Sequence, residues 1–212
     1  MDNLPAIAEQ AHNDLEKRTK ARDQALGQAR QLTRQSAYAI RSIHRGEAGQ
    51  SEELLQQARE LKEALKAELA NFPDLYYAGY TQDAIKEYVE ASITFALIQN
   101  RPLPTSLDLG VETPAYLNGL AETVGELRRR CLDILRQGYS QEAERLLFCM
   151  DEIYALLVTL DYPDAVTNGL RRQTDLVRGI VERTRGDLTI SLREQHLITS
   201  LEEFSKRLPP KE

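Results

Sequence analysis

Two pairs of carboxylates stand at helical spacing. Glu87 and Glu90 in KEYVEAS are three residues apart, and Glu122 and Glu126 in LAETVGELRRR are four apart, so each pair shares one face of a helix. Hard divalent cations such as Mg²⁺ take carboxylate oxygens and keep several waters, one of which can be activated or aligned for attack on phosphorus. Four carboxylates from two helices suffice for such a site. Like charges at these spacings also oppose helix formation by about 0.2–0.5 kcal/mol per pair unless a cation neutralises them. On a helical projection Glu87 and Glu90 lie opposite the stripe Ile85, Tyr88, Val89, Ser92, Phe95 and Ala96. The second pair lies on a line with Ala115, Gly119 and Asp133, opposite Leu117, Leu120, Ala121, Val124, Leu127 and Cys131. A solvated face gives the same pattern, so periodicity leaves both readings open. Ala115 and Gly119 leave the acidic line without bulk, which suits close approach of a metal, a ligand or a second backbone.

Phosphate chemistry also needs cations. Arg34, Arg41, His44 and Arg45 cluster near one helix end, Arg128, Arg129 and Arg130 follow the second acid pair directly, and Arg171 and Arg172 open a later helix. Arginine grips phosphate with a planar fork, although such clusters are also ordinary surface charge. Tyr76, Tyr77, Tyr80 and Tyr88 lie before or within the first acidic helix, where they serve either as stacking platforms for unpaired bases or as packing residues. Other chemistries lack their signatures. One Glu-x-x-His, at Glu9 and His12, falls short of a di-iron centre. Three histidines and two distant cysteines give zinc no ligand cluster, and GxSxG, Walker A and GxGxxG patterns are absent.

The elements that position these residues are helices. With 212 residues the chain can bury a sizeable core as one domain spanning 1–212. Apolar residues recur at helical spacing almost throughout and no segment alternates with period two, which makes the class all-α. The first helix is a long one, from Asn3 with Pro5 in its first turn to Arg45, ended by Gly46 and Gly49. Ser51 opens the second, which stops at Asn71 and Pro73. Thr81 caps the third, to about Gln99, and Arg101 to Glu112 is an extended connector. Helix four runs from Pro114 to about Gln137 and helix five opens at Ser140. Helix six spans about Ala165 to Thr184, with a turn at Arg185, Gly186 and Asp187. Ser191 and Glu194 then form a capping box for the seventh, closing near Leu208 before Pro209 and Pro210. A net charge of −6 restricts any phosphate-binding surface to a local patch. Uncharged runs are too short to span a bilayer, the start MDNLPAIAEQ resembles no secretory signal, and the isolated cysteines fit a reducing compartment. The expectation is a cytoplasmic protein without a membrane partner.

At these same residues the sequence resembles the translin and Trax family, specifically its Trax branch, over nearly the whole chain. KEYVEASITFALIQNRPL is similar to the Trax helix with two glutamates, and VETPAYLNGLAETVGELRRRCLD to a signature of both branches, with Pro114, Tyr116, Gly119, Gly125 and Glu126 in register. FCMDEIYALLVTLDYPDAVTNGLRRQTDLVRGIVERTRGDLT continues in register with the family's last helices. The resemblance implies a seven-helix bundle assembling into a hollow, octamer-like oligomer. It also implies a Mg²⁺-dependent endoribonuclease centre at the positions of Glu87, Glu90, Glu122 and Glu126. Translin, a single-strand nucleic-acid binder, lacks the first pair. Glu122 stands where eukaryotic Trax has Asp, and the chain is shorter than eukaryotic Trax, which points to a prokaryotic member that works as a homo-oligomer. Leu146, Leu147, Phe148, Leu156, Leu157 and Val158 give helix five more apolar surface than one seam needs.

The reading that follows is a metal-dependent endoribonuclease acting on single-stranded RNA, with single-stranded DNA as a further ligand. The four glutamates hold Mg²⁺ or Mn²⁺ and supply the base, while Arg34, Arg41, His44, Arg45, Arg128 and Arg129 bind nucleic acid. Rival readings are a non-catalytic translin-like binder and an all-helical nucleoside triphosphate pyrophosphatase, whose E-x-x-E then E-x-x-D pattern differs at the second pair.

Overall fold

A computed structural model describes residues 3–207. Among them the regular elements are all helices: α1 (Leu4–His44), α2 (Ala48–Glu68), α3 (Pro73–Tyr76), α4 (Gly79–Ile98), α5 (Ser106–Leu109), α6 (Thr113–Leu135), α7 (Gln141–Val158), α8 (Asp164–Thr167) and α9 (Leu170–Arg207). The all-α class is as expected, and no described helix is long and apolar enough to cross a membrane. The chain forms two compact units, Met1–Phe95 with Pro104–Gly119 and Ala96–Leu103 with Leu120–Glu212.

In the first unit α1 and α2 pack as a hairpin. Buried Ala25, Ala29, Leu32, Ala39, Ile40 and Ile43 recur along α1 at three- and four-residue steps, and the alanines let α2 approach closely. Ala39 and Ile40 meet Ala91 of α4, with Leu54 and Leu55 of α2 against them. Between Ala84 and Ala96 only Lys86 and Glu87 of α4 escape burial. This corrects the single-stripe expectation: α4 is a central helix, apolar on most sides because neighbours cover most sides. The connector is also less extended than expected. Thr105 and Asp108 form a reciprocal capping box that starts α5, and the wholly buried Lys62 donates from Nζ to the Leu109 carbonyl at 2.8 Å. The Tyr76 hydroxyl donates to the Glu112 carboxylate at 2.8 Å. These contacts fix the stretch that enters α6.

In the second unit the buried faces are Leu120, Val124, Leu127 and Cys131 of α6, Leu146, Met150 and Leu157 of α7, and Leu170, Val177, Val181 and Leu188 of α9. The expected sixth and seventh helices are one. Gly186 lies in a helical turn and costs about 1 kcal/mol relative to alanine. The buried anchors Val181, Thr184 and Leu188 on either side of it outweigh that cost. Ser191 is therefore interior and caps nothing, and the expected end near Leu208, Pro209 and Pro210 lies outside the described residues. Two other expected caps move inward: α2 starts at Ala48, where Ser51 donates to the Glu47 carbonyl, and α4 starts at Gly79, where Thr81 donates to that of Leu75. Ser140 caps α7 as expected, accepting from the Glu142 amide. With the one-turn α3, α5 and α8, the described residues hold nine helices where seven were expected.

Candidate metal centre and its surroundings

The site begins with a missing side chain. A Cβ on Gly119 would lie 2.7 Å from Cγ1 of Val89 and 2.9 Å from the Lys86 carbonyl oxygen, so α6 touches the α4 backbone here and only glycine fits. Of the three partners that an unbulky acidic line suited, the second backbone is the one present. Glu122 follows Gly119 by three residues on the same unbroken helix, while Glu87 and Glu90 flank Val89. Carboxylate oxygens of Glu87, Glu90 and Glu122 all lie within 4.8 Å of one another. Glu90 is only 9% exposed, and Glu87 and Glu122 are half-buried, so this is not a solvated face. Oxygens on opposite sides of a Mg²⁺ ion are about 4.2 Å apart, from a metal–oxygen distance of 2.0–2.1 Å. Small side-chain rotations bring three hard oxygen donors into that range, so the donor set fits a hard divalent cation.

Glu126 is not part of the trio. One turn further along α6, its carboxylate lies 3.8 Å from the Arg129 guanidinium. Glu122 has a contact that the sequence reading missed: the Gln173 amide on α9 donates to its Oε1 at 3.0 Å. The available signal was a polar residue in the buried register of a helix, between Leu170 and Val177, both 1% exposed.

Of the basic candidates, Arg128 is engaged inside the second unit, pairing with Asp187 at 2.8 Å and donating to the Thr184 hydroxyl at 3.0 Å. Arg129 is exposed. Arg45 is held by Glu47, with both carboxylate oxygens 2.9 Å from Nε, while Arg34 and Arg41 are exposed and the Arg41 guanidinium lies 4.8 Å from the Tyr38 ring centre. His44 is half-buried at the end of α1. Tyr88 and Tyr76 are packing residues at 3% and 6% exposure, whereas Tyr77 is exposed. Burial raises the Tyr76 phenol above its ordinary value, reinforced by its hydrogen bond to Glu112. Burial likewise pushes the Cys131 thiol up to about 12, with Glu142 adding to the shift, so this cysteine is no nucleophile.

No family model matches the chain. An uncharacterised protein of Methanocaldococcus jannaschii is 32% identical over 188 residues, covering 87% of this chain and 82% of that protein. Among solved structures, AfC3PO in complex with duplex RNA matches with a TM-score of 0.83 at 35% identity, over 88% of this chain and 97% of AfC3PO. The crystal structure of AfC3PO gives 0.82 with the same identity and coverage. Apo-NeC3PO, at 21% identity and a TM-score of 0.79 over 87% of this chain and 96% of its own, shares the fold. With a third of its residues identical to AfC3PO along nearly the full length of both, the chain belongs to the translin/Trax-like C3PO family.

Proposed function

We propose that the protein is a metal-dependent endoribonuclease that cleaves single-stranded RNA, with Glu87, Glu90 and Glu122 as the residues that hold Mg²⁺ or Mn²⁺. The observation that carries this reading is the convergence of three carboxylates to within 4.8 Å beside a helix contact too tight for any side chain but hydrogen. The duplex RNA in the AfC3PO complex supports RNA as the ligand; the preference for single strands is part of the proposal. When bound, the ion would polarise a phosphoryl oxygen and make its water a better nucleophile. Glu126, outside the trio on the same helix, would accept the water's proton. In the hydrolysis this supports, water would add to phosphorus as one bridging P–O bond breaks, and the proton taken up by Glu126 would pass to the departing oxygen. Arg129 would hold a phosphate oxygen through its fork, and the exposed Arg34 and Arg41 would supply further phosphate contacts. Phosphate contacts carry no base identity, so sequence preference is weak. Exposed Phe148, Leu156 and Val158 on α7 support a homo-oligomer, octamer-like and hollow in keeping with the family resemblance.

A second reading is a non-catalytic binder, favoured by the capture of AfC3PO with duplex RNA. The test incubates the protein with end-labelled single-stranded RNA, the same RNA as a duplex, single-stranded DNA, and free nucleoside triphosphates. Each receives Mg²⁺, Mn²⁺ or EDTA, alongside Glu122→Gln and Glu126→Ala. Internal cuts in single-stranded RNA that vanish with EDTA and with either substitution, while gel retardation persists, are the expected result. Intact RNA that is retarded in all conditions identifies the binder, and triphosphate hydrolysis identifies a pyrophosphatase.

A further inference from the structure

Gln173 occupies a position that the helix pattern reserves for an apolar residue. It lies three residues after Leu170 and four before Val177, and both are buried. Its amide reaches across to Glu122 Oε1 at 3.0 Å. Only the NH₂ end of an amide can face a carboxylate oxygen, so Gln173 is the donor. Two features hold that donor in place. Asn168 and Gly169 both have positive φ, 52° and 81°, and turn the chain sharply into α9, whose first turn is then anchored by Leu170. Further along, Arg128 of α6 is tied to Thr184 and Asp187 of α9, which fixes the register in which Gln173 meets Glu122.

We propose that Gln173 is a positioning residue for the metal centre: its amide fixes the carboxylate plane of Glu122 and so aims that group at Glu87 and Glu90. This inference rests on the metal-dependent reading above. The neutrality of the donor is part of the argument. In the sequence RRQT the residue that meets Glu122 is the uncharged one, while Arg171 and Arg172 are exposed. The Lys86 ammonium already lies 3.9 Å from Glu87; a second cation in place of Gln173 would cancel a further charge and compete with a divalent ion, whereas an amide orients the Glu122 oxygen without adding positive charge.

The test uses the full chain and three substitutions: Gln173→Met, of similar size without a donor; Gln173→Lys, with a donor and a positive charge; and Arg172→Met as a neighbouring control. Mn²⁺ binding is read directly from the electron paramagnetic resonance of the free ion. Cleavage of single-stranded RNA is measured against metal and RNA concentration. Gln173→Met is expected to bind Mn²⁺ roughly 10–100-fold more weakly, the usual effect of removing a partner that orients a metal ligand. The KM for RNA and the melting temperature should stay unchanged. Gln173→Lys is expected to bind Mn²⁺ more weakly still, and Arg172→Met like the parent. Parent-like Mn²⁺ binding in Gln173→Met overturns the proposal, and binding by Gln173→Lys as tight as the parent's overturns the argument for a neutral donor. If the parent itself neither binds Mn²⁺ nor cleaves RNA, the metal-dependent reading has failed as well, an outcome distinct from equal binding by parent and variant.

Discussion

Replacing Gly119 by alanine tests the contact on which the carboxylate cluster rests. The new methyl would lie 2.7 and 2.8 Å from Cγ1 and Cβ of Val89 and 2.9 Å from the Lys86 carbonyl oxygen, where ordinary carbon contacts are about 3.5–4.0 Å. Val89 is fully buried and the carbonyl belongs to a helix backbone, so neither yields by rotation. The α6 helix must instead withdraw by about 0.7–1.3 Å, the shortfall between the Val89 and ordinary carbon distances. Overpacking of this kind costs about 1–3 kcal/mol, and a backbone obstacle places the cost near the top of that range. Alanine returns up to about 1 kcal/mol through helix propensity, leaving a net loss of about 2 kcal/mol. In a chain of this size that lowers Tm by about 4–8 °C. At Gly125, six residues along the same helix, a methyl would meet nothing within 4 Å, so Gly125→Ala should gain the propensity term alone and raise Tm by about 2–4 °C. Melts followed by circular dichroism at 222 nm read both. Withdrawal of α6 also carries Glu122 away from Glu87 and Glu90, so Gly119→Ala should weaken Mn²⁺ binding while Gly125→Ala leaves it alone. If both alanines raise Tm equally, the close approach of α4 and α6 is not there.

Lys62→Met strands the buried Leu109 carbonyl that its ammonium now contacts at 2.8 Å and cuts its pair with the exposed Glu63. Urea denaturation should show a loss of about 1.5–3 kcal/mol. Because burial, followed by the Glu112 hydrogen bond, raises the Tyr76 phenol above its ordinary 10.0, the fold favours its neutral form. The stability this contributes is complete below that value and is lost as pH rises above it and the unfolded chain ionises first. Tyr76→Phe should accordingly flatten the fall in stability between about pH 9.5 and 11, and an unchanged slope would contradict the assignment. Arg128→Ala, by cutting the contacts to Thr184 and Asp187, should lower stability by about 1–2 kcal/mol with little change in RNA affinity. Arg129→Ala should do the reverse, as gel retardation and melts can show. Mn²⁺ at 100 times its dissociation constant should stabilise the native protein by about 2.7 kcal/mol, and Glu90→Gln should abolish most of that shift.

What was legible in the sequence was local. The ends of α1, the Ser140 cap and the pairing of acids on two helices depend on residues within a turn or two of one another, and the structure keeps all three. Gly186 misled because a glycine flanked by Arg and Asp reads as a turn, yet buried anchors on either side hold the helix through it. The burial around Glu90 was hidden for a related reason. A helical projection assumes one covered face, and α4 has several, so the face that looked solvated is mostly enclosed. Gln173 and Arg128 were beyond reach because their partners lie 51 and 56 residues away in the chain. Only the polar residue in an apolar register hinted at the first of these.

The energetics explain why the acids could be recognised as candidates while their arrangement could not. Two carboxylate charges within 4.8 Å of one another repel by about 3.5 kcal/mol or more at an effective dielectric constant of 20, far more than the few tenths of a kcal/mol that like-charge spacing costs an isolated helix. On the same helix the Lys86 ammonium, 3.9 Å from the Glu87 carboxylate, offsets part of that repulsion. Ile85, Val89 and Ile93 of α4, each 0% exposed, contribute about 1.5–3 kcal/mol apiece by burial, and the glycine contact holds the second helix against them. The apolar core therefore places the carboxylates together against their own repulsion. A divalent cation bound there would add to what the Lys86 pair already offsets, and a neutral donor such as Gln173 orients Glu122 without bringing a further positive charge to compete with it.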